Sequence, residues 1–157
     1  MLVDDDSVNR LLGHTILEKF NCQTDIAVSG HEAIDKLSQS HFDIVLLDIH
    51  MPDISGLDVA EYLRAKKKDR ATKIVAVTAA IMKDDIKKYY QAGIDDFLIK
   101  PYKEINLFNK MCDVFKVKDM PNTKSKAEII LKRIPCNQQK VQPGGAKKNG
   151  WRKCRLH

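Results

Sequence analysis

The sequence predicts an open, doubly wound α/β domain: a five-stranded parallel sheet with helices on both faces. Two observations carry that expectation. Short β-branched or aliphatic runs alternate with helical patterns throughout residues 1–117, and successive βα units build a parallel sheet wrapped by its crossover helices. Ile44-Val45-Leu46-Leu47 is apolar at consecutive positions, which marks a central strand covered on both sides.

The elements follow in order. Leu2–Asp4 reads as the first strand. Asp6 and Ser7 stand where a helix N-cap is needed, and Val8, Leu11, Leu12, Ile16 and Phe20 recur at the spacing of one apolar helical stripe. Thr24–Val28 reads as the second strand. Ser29 with Glu32 forms a capping-box pattern before a helix carrying Ala33, Ile34 and Leu37. Asp43–Asp48 is the third strand, and Ser55-Gly56 precedes a helix over 57–65. Lys73–Thr78 is the fourth strand. A helix over 82–91 follows, with Gly93 placed as its left-handed C-terminal cap. Asp96–Ile99 is the fifth strand, and Leu107, Phe108, Met111, Cys112 and Phe115 stripe the last helix.

Composition sets the outer bounds. The chain has 157 residues and is 43% apolar, enough for a core without staples and too apolar for wholesale disorder. Its longest aliphatic runs fall far short of the ~20 residues of a membrane span. Met1-Leu2-Val3 leads straight into three aspartates, unlike a signal peptide. A soluble, cytoplasmic protein without membrane insertion is expected. Cys22, Cys112, Cys136 and Cys154 form no CxxC pair and read as free thiols. His31-Glu32 opens like a zincin helix, but Asp35 stands where the second histidine belongs. Gly145 and Gly150 have phosphate-loop spacing, yet Trp151 replaces the required lysine.

The net charge of +6 divides unevenly. Residues 119–157 hold ten basic and two acidic residues, net +8, leaving 17 basic and 19 acidic residues in 1–118, net −2. Pro121, Pro135, Pro143 and Gly144-Gly145 fall in the basic part, with one short amphipathic stretch at Ala127, Ile130, Leu131 and Ile134. The expected division is a folded domain over 1–118 and a basic, largely disordered tail over 119–157. Such a tail could give salt-dependent phosphate affinity. Trp151 alone makes no stacking platform, so nucleic acid is not the expected partner.

Open parallel sheets bind ligands at the carboxyl ends of their strands. Strand 1 ends in Asp4-Asp5, strand 3 in Asp48, strand 4 in Thr78-Ala79 and strand 5 in Lys100-Pro101. A lone aspartate after a strand is usually a cap or turn former. Here four of five strand ends carry matched groups. Crowded carboxylates repel unless a cation compensates, and oxygen ligands suit Mg²⁺, which commonly accompanies phosphate. With Lys100 alongside, the crevice is suited to a phosphoryl group. An aspartate can itself be the nucleophile, and Asp48, after the most buried strand, is the best placed.

The motifs Val3-Asp4-Asp5-Asp6-Ser7-Val8-Asn9-Arg10, Leu47-Asp48-Ile49-His50-Met51-Pro52 with Gly56, Val77-Thr78-Ala79, and Ala92-Gly93 through Asp95-Asp96-Phe97-Leu98-Ile99-Lys100-Pro101 resemble the receiver (response-regulator) domain of two-component phosphorelay signalling. The Asn9-Arg10 variant resembles receivers of hybrid sensor histidine kinases. The resemblance covers about residues 1–117 and implies a flavodoxin-like sheet of strand order 2-1-3-4-5. It implies Asp48 as phosphoacceptor, taking a phosphoryl group from a histidine kinase or a histidine phosphotransfer protein. Asp5 would ligate Mg²⁺ directly and Asp4 through water, with Asp48 and the backbone carbonyl of His50 completing the protein ligands. Lys100 would pair with phosphoryl oxygens, its bond to Pro101 being cis. Thr78 would swing its hydroxyl onto the phosphoryl group and Phe97 would rotate inward, remodelling the face formed by helix 4, strand 5 and helix 5. A phosphorylation-dependent dimer is compatible with such a face. The domain would be a signalling module, not a turnover enzyme.

Two departures stand out. Only Met1-Leu2-Val3 precede the acid pair, so the natural start is expected upstream. His50 is an unusual side chain two residues after the acceptor. Two other readings compete. An Asp-nucleophile phosphatase of haloacid-dehalogenase type would want a second acid where His50 stands. An unphosphorylated receiver-like scaffold with a nucleic-acid-binding tail would not need the full set of site residues.

Overall fold

The computed structural model describes residues 1–66, 71–115 and 154–156. In chain order the elements are β1 (Leu2–Val3), α1 (Ser7–Lys19), β2 (Cys22–Thr24), β3 (Ile26–Ala27), α2 (Gly30–Gln39) and β4 (Ile44–Asp48). They continue as α3 (Gly56–Ala65), β5 (Lys73–Thr78), α4 (Lys83–Gln91), β6 (Asp96–Ile99), α5 (Glu104–Val114) and β7 (Cys154–Leu156). The main sheet is five-stranded and parallel, ordered β3-β1-β4-β5-β6. This is the expected doubly wound order, in which β3 is added on one side of β1 and β4, β5 and β6 on the other.

The sheet carries a hydrophobic layer on each face because neighbouring residues of a strand point to opposite sides. Met1, Val3, Val45, Leu47, Ile74 and Ala76 pack against Ala33, Leu37, Val59, Ala60, Leu63 and Tyr89 from α2, α3 and α4. Leu2, Ile44, Leu46, Val75 and Val77 pack against Ile16, Leu17, Leu107 and Met111 from α1 and α5. Every residue of β4 is buried, as its unbroken apolar run requires.

Three local expectations change. The expected strand over 24–28 is interrupted at Asp25. β3 joins the main sheet by pairing Leu2 with Ile26, whereas β2 pairs in parallel with β7 in a separate two-stranded sheet, Cys22 opposite Cys154. β7 lies within the expected tail. The rest of 119–157 is outside the described residues, as are Cys136, Trp151 and the amphipathic stretch.

The stripe expected on α1 is also redrawn. Val8 and Leu11 are 70% and 69% exposed, and the buried positions are Gly13, Ile16 and Leu17. The helix packs tightly at Gly13, where an added Cβ would lie 2.9 Å from Leu2 Cδ2 and 3.0 Å from the Tyr102 hydroxyl. The face carrying Gly13, Ile16 and Leu17 is the buried one, so the first apolar turn points outward.

Finally, the capping box at α2 is half formed. Ser29 Oγ accepts from the Glu32 amide at 3.2 Å, but the Glu32 carboxylate accepts from Val28, at 2.8 Å. Asp6 caps α1 as expected, accepting from the Val8 and Asn9 amides. Gly93 has a φ of 91° at the end of α4, where only a glycine is comfortable.

β1 lies between β3 and β4 although it is only two residues long. The Met1 amino group donates to the Ile44 carbonyl at 2.7 Å. Burial pushes that amine down to about 4, against the weaker upward pull of Asp25 and Asp43.

Candidate active site

The carboxyl ends of β1, β4, β5 and β6 open on one crevice. Asp4 follows β1 and is 3% exposed, Asp48 ends β4 at 6%, and Asp5 is exposed at the mouth. One carboxylate oxygen from each lies within 4.8 Å of the others. Lys100, after β6, spans the two buried acids: its Nζ is 2.7 Å from Asp4 Oδ2 and 2.7 Å from Asp48 Oδ2. Burial works to lower the pKa of this ammonium, but the hydrogen bonds to Asp4 and then Asp48 outweigh it and raise it. The lysine is therefore held charged where the acids meet.

Each acid is oriented by further bonds. Asp4 Oδ1 accepts from the Asp6 amide at 2.9 Å and from Asn9 Nδ2 at 3.3 Å. Arg10 Nη1 donates to the Asp4 carbonyl at 2.9 Å. Asp48 Oδ1 accepts from the His50 amide at 3.1 Å. After β4 the chain folds back so tightly that the Gly56 amide donates to the Ile49 carbonyl at 3.0 Å. A Cβ on Gly56 would fall 2.3 Å from the Asp48 carbonyl oxygen.

The remaining expected residues sit around this centre. Thr78 ends β5 fully buried, its hydroxyl donating to the Ala80 carbonyl at 3.0 Å. Phe97, on β6, is already turned inward at 8% exposure, with its ring 5.5 Å from Tyr89 and 5.3 Å from Tyr90. The Lys100–Pro101 bond is cis. The His50 side chain is exposed. Asp4, Asp5, Asp48 and Lys100 thus form one cluster, Thr78 flanks it, and Phe97 belongs to the packing between β6 and α4.

An all-oxygen set of three carboxylates is the donor chemistry of a hard divalent cation such as Mg²⁺, so the residues present fit that ion. Together with an ammonium on the same acids, they leave a place for a phosphoryl group between positive charges.

Residues 1–111 match the response regulator receiver domain family. The chain belongs to that family. As a receiver domain it is a module of two-component phosphorelay signalling. It is 37% identical over 109 residues to the signal transduction histidine-protein kinase BarA of Shigella flexneri, covering 69% of this chain and 12% of that protein. It is 36% identical over 107 residues to transcription factor prr1 of Schizosaccharomyces pombe, covering 68% of this chain and 20% of that one. The receiver spans between about a tenth and a fifth of these relatives.

Among solved structures, it superposes on TrrA of Thermotoga maritima, determined with Mg²⁺ and BeF, at a TM-score of 0.64 and 34% identity. That match covers 72% of this chain and 95% of TrrA. The receiver domain of a sensor histidine kinase from Pseudomonas aeruginosa, with magnesium in its active-site cleft, gives a TM-score of 0.66 at 27% identity, covering 71% and 92%. The match does not favour the dehalogenase-type reading. Among the described residues, no helix is long and apolar enough to cross a membrane.

Residue patterns alone did not single out Gly13, Asp53 or Tyr102, and gave Asn9-Arg10 only as part of a resemblance. Asn9 lies one helical turn beyond the Asp6 cap, so its reach to Asp4 is visible once α1 is placed. Tyr102 meets Gly13 across 89 positions of chain, and no local pattern encodes that.

Proposed function

We propose that this receiver accepts a phosphoryl group on Asp48 from a phosphohistidine of a histidine kinase or histidine phosphotransfer protein. The observation that carries the reading is the Lys100 ammonium spanning Asp4 and Asp48, with Asp5 beside them. An Asp48 carboxylate oxygen forms the new P–O bond as the P–N bond breaks, and the imidazole leaves with the bond's electron pair. Asp4, Asp5, Asp48 and the His50 carbonyl would hold Mg²⁺, which when bound neutralises charge on the transferring phosphoryl oxygens.

Lys100 then trades its Asp48 contact for a phosphoryl oxygen. The Thr78 hydroxyl leaves the Ala80 carbonyl to donate to the phosphoryl group. That step pulls on the chain entering α4 and shifts the population of the α4–β6–α5 face, where Phe97, Tyr89 and Tyr90 pack. A dimer that depends on phosphorylation would use this face. The exposed His50 imidazole beside the acceptor is placed to alter the lifetime of the acyl phosphate, and His50→Asn should change its half-life.

Intact-mass measurement after incubation with Mg²⁺ and acetyl phosphate tests the reading. One phosphoryl adduct per chain is expected, absent in Asp48→Asn and absent when EDTA removes the metal. No adduct, or one that survives Asp48→Asn, sinks it. Repeated turnover of phosphate monoesters would point instead to a phosphatase.

A further inference from the structure

The β4–α3 loop, residues 49–55, carries the His50 carbonyl and must hold it steady beside Asp48. The turn at Gly56 closes the loop by bonding back to Ile49. Within the loop, Asp53 reaches away from the site to the start of α2. Its Oδ1 accepts from the Gly30 amide at 3.1 Å and its Oδ2 from the His31 amide at 3.0 Å. The His31 ring nitrogen Nδ1 lies 2.8 Å from the same Oδ2.

These are amides that the first turn of a helix leaves without partners, and the helix N-terminus favours a negative charge. The hydrogen bonds from the His31, Ile54 and Gly30 amides, with that from the His31 ring, hold the Asp53 carboxyl far below the usual range although burial opposes them. The contact is close-packed as well as charged. A Cβ on Gly30 would lie 2.7 Å from the Ile54 carbonyl oxygen, so the loop backbone rests directly on the helix.

We propose that Asp53 is a positioning residue for the metal site: by bridging two amides of α2 it fixes the loop that presents the His50 carbonyl. The inference rests on the receiver reading of Asp48 and its cation. Asp53 touches neither the acids nor Lys100, and His31 contributes its amide more than its exposed ring. The latch links α2 to the geometry of the phosphoacceptor through the short stretch of backbone from Asp53 back to Asp48. A change in α2 would therefore be felt as a change in cation affinity.

Calorimetric titration of the 1–157 chain with MgCl₂ tests this, with acetyl phosphate labelling measured at low and saturating Mg²⁺. Asp53→Ala should weaken Mg²⁺ binding by about tenfold, the range seen when outer partners of metal ligands are removed. Its labelling rate at saturating Mg²⁺ should return to that of the parent. Asp53→Asn, which keeps one acceptor, should fall between the two. His31→Ala, which keeps the amide, should match the parent.

A parent that binds Mg²⁺ and is labelled, with Asp53→Ala binding just as tightly, overturns this inference alone. A melting temperature that drops with no change in Mg²⁺ affinity does the same, since a purely structural cap would behave that way. A parent that neither binds Mg²⁺ nor takes the phosphoryl group overturns the site reading as well. If Asp53→Ala does not fold, Asp53→Asn decides: unchanged affinity overturns the proposal.

Discussion

The loops that follow β4 and β5 flank the same acid cluster and are built in opposite ways. The loop after β4 is tied down twice, by Asp53 on the α2 amides and by Gly56 against Asp48 and Ile49. The loop after β5 runs from Thr78 into α4, where Met82 is the N-cap without a side-chain hydrogen bond and is 68% exposed. Ile81 packs against the core. Within this loop, among the described residues, the side-chain hydrogen bond is that of Thr78 to Ala80. In the proposed mechanism the first loop would hold a carbonyl still and the second would release a hydroxyl. Segments that move in a switch are drawn from the weakly held end of a structure, so a site that both bound a cation and reported a phosphoryl group would use one loop of each kind.

The first of these loops springs from β4, which pairs directly with β1, and the largest expected effect lies at β1. Where a chain opens at Met1, as in residues 1–157 expressed alone, its amine is held at about 4 in the fold, against an ordinary value near 8 in the unfolded chain. Between those values the unfolded chain binds the extra proton, so stability rises with pH up to about 8 and is lost progressively towards 4. The change is on the order of 5 kcal/mol, read by urea unfolding across that range. Acetylating the amine or adding residues ahead of Met1 should flatten the slope between pH 5 and 8. An unchanged slope shows that the amine does not titrate between the two states as the fold requires.

Gly56→Ala attacks the tied loop directly. Its Cβ has backbone on its path, not a side chain that can step aside, so a loss of about 3 kcal/mol in urea unfolding is expected, together with weaker Mg²⁺ binding. A variant as stable as the parent means that the turn is looser than the contact implies. Thr78→Ala strikes the other loop. It should cost about 1 kcal/mol, the worth of one hydrogen bond, while the Asp48 adduct still forms. The change in tyrosine fluorescence on phosphorylation, from Tyr89 and Tyr90 beside Phe97, should then vanish and should survive in Thr78→Ser.

Met82→Ser supplies the cap that α4 lacks and should stabilise the chain by roughly 0.5–1 kcal/mol while damping the same fluorescence change. Equal melting temperatures for parent and variant would remove the contrast between the loops.

Much of this molecule was legible because its signals are local. The run Ile44–Leu47 dictated a central strand, Asp6 a cap and Gly93 a helix end, and the strand-end acids announced where chemistry would gather. The misreadings have equally physical causes. Val8 and Leu11 have helical spacing, but α1 faces the sheet through Gly13, Ile16 and Leu17, where the close packing at Gly13 leaves no room for a side chain. The segment around Asp25 carries β-branched residues at Thr24, Ile26 and Val28, yet separate pairing partners split it at Asp25 into β2 and β3.

The sequence alone determined the fold class, most of its elements and which acids and which lysine stand at the strand ends, since period and residue type are properties of neighbouring positions. Tertiary structure decided everything that depends on distance across the chain. It placed Lys100 on Asp4 and Asp48 together, left the Thr78 hydroxyl on Ala80, turned Phe97 inward and set Asp53 on a helix 22 and 23 residues before it. Such contacts exist only once the sheet has brought the strand ends to one edge, because the pairing of remote residues is encoded in the packing as a whole and not in any stretch of sequence.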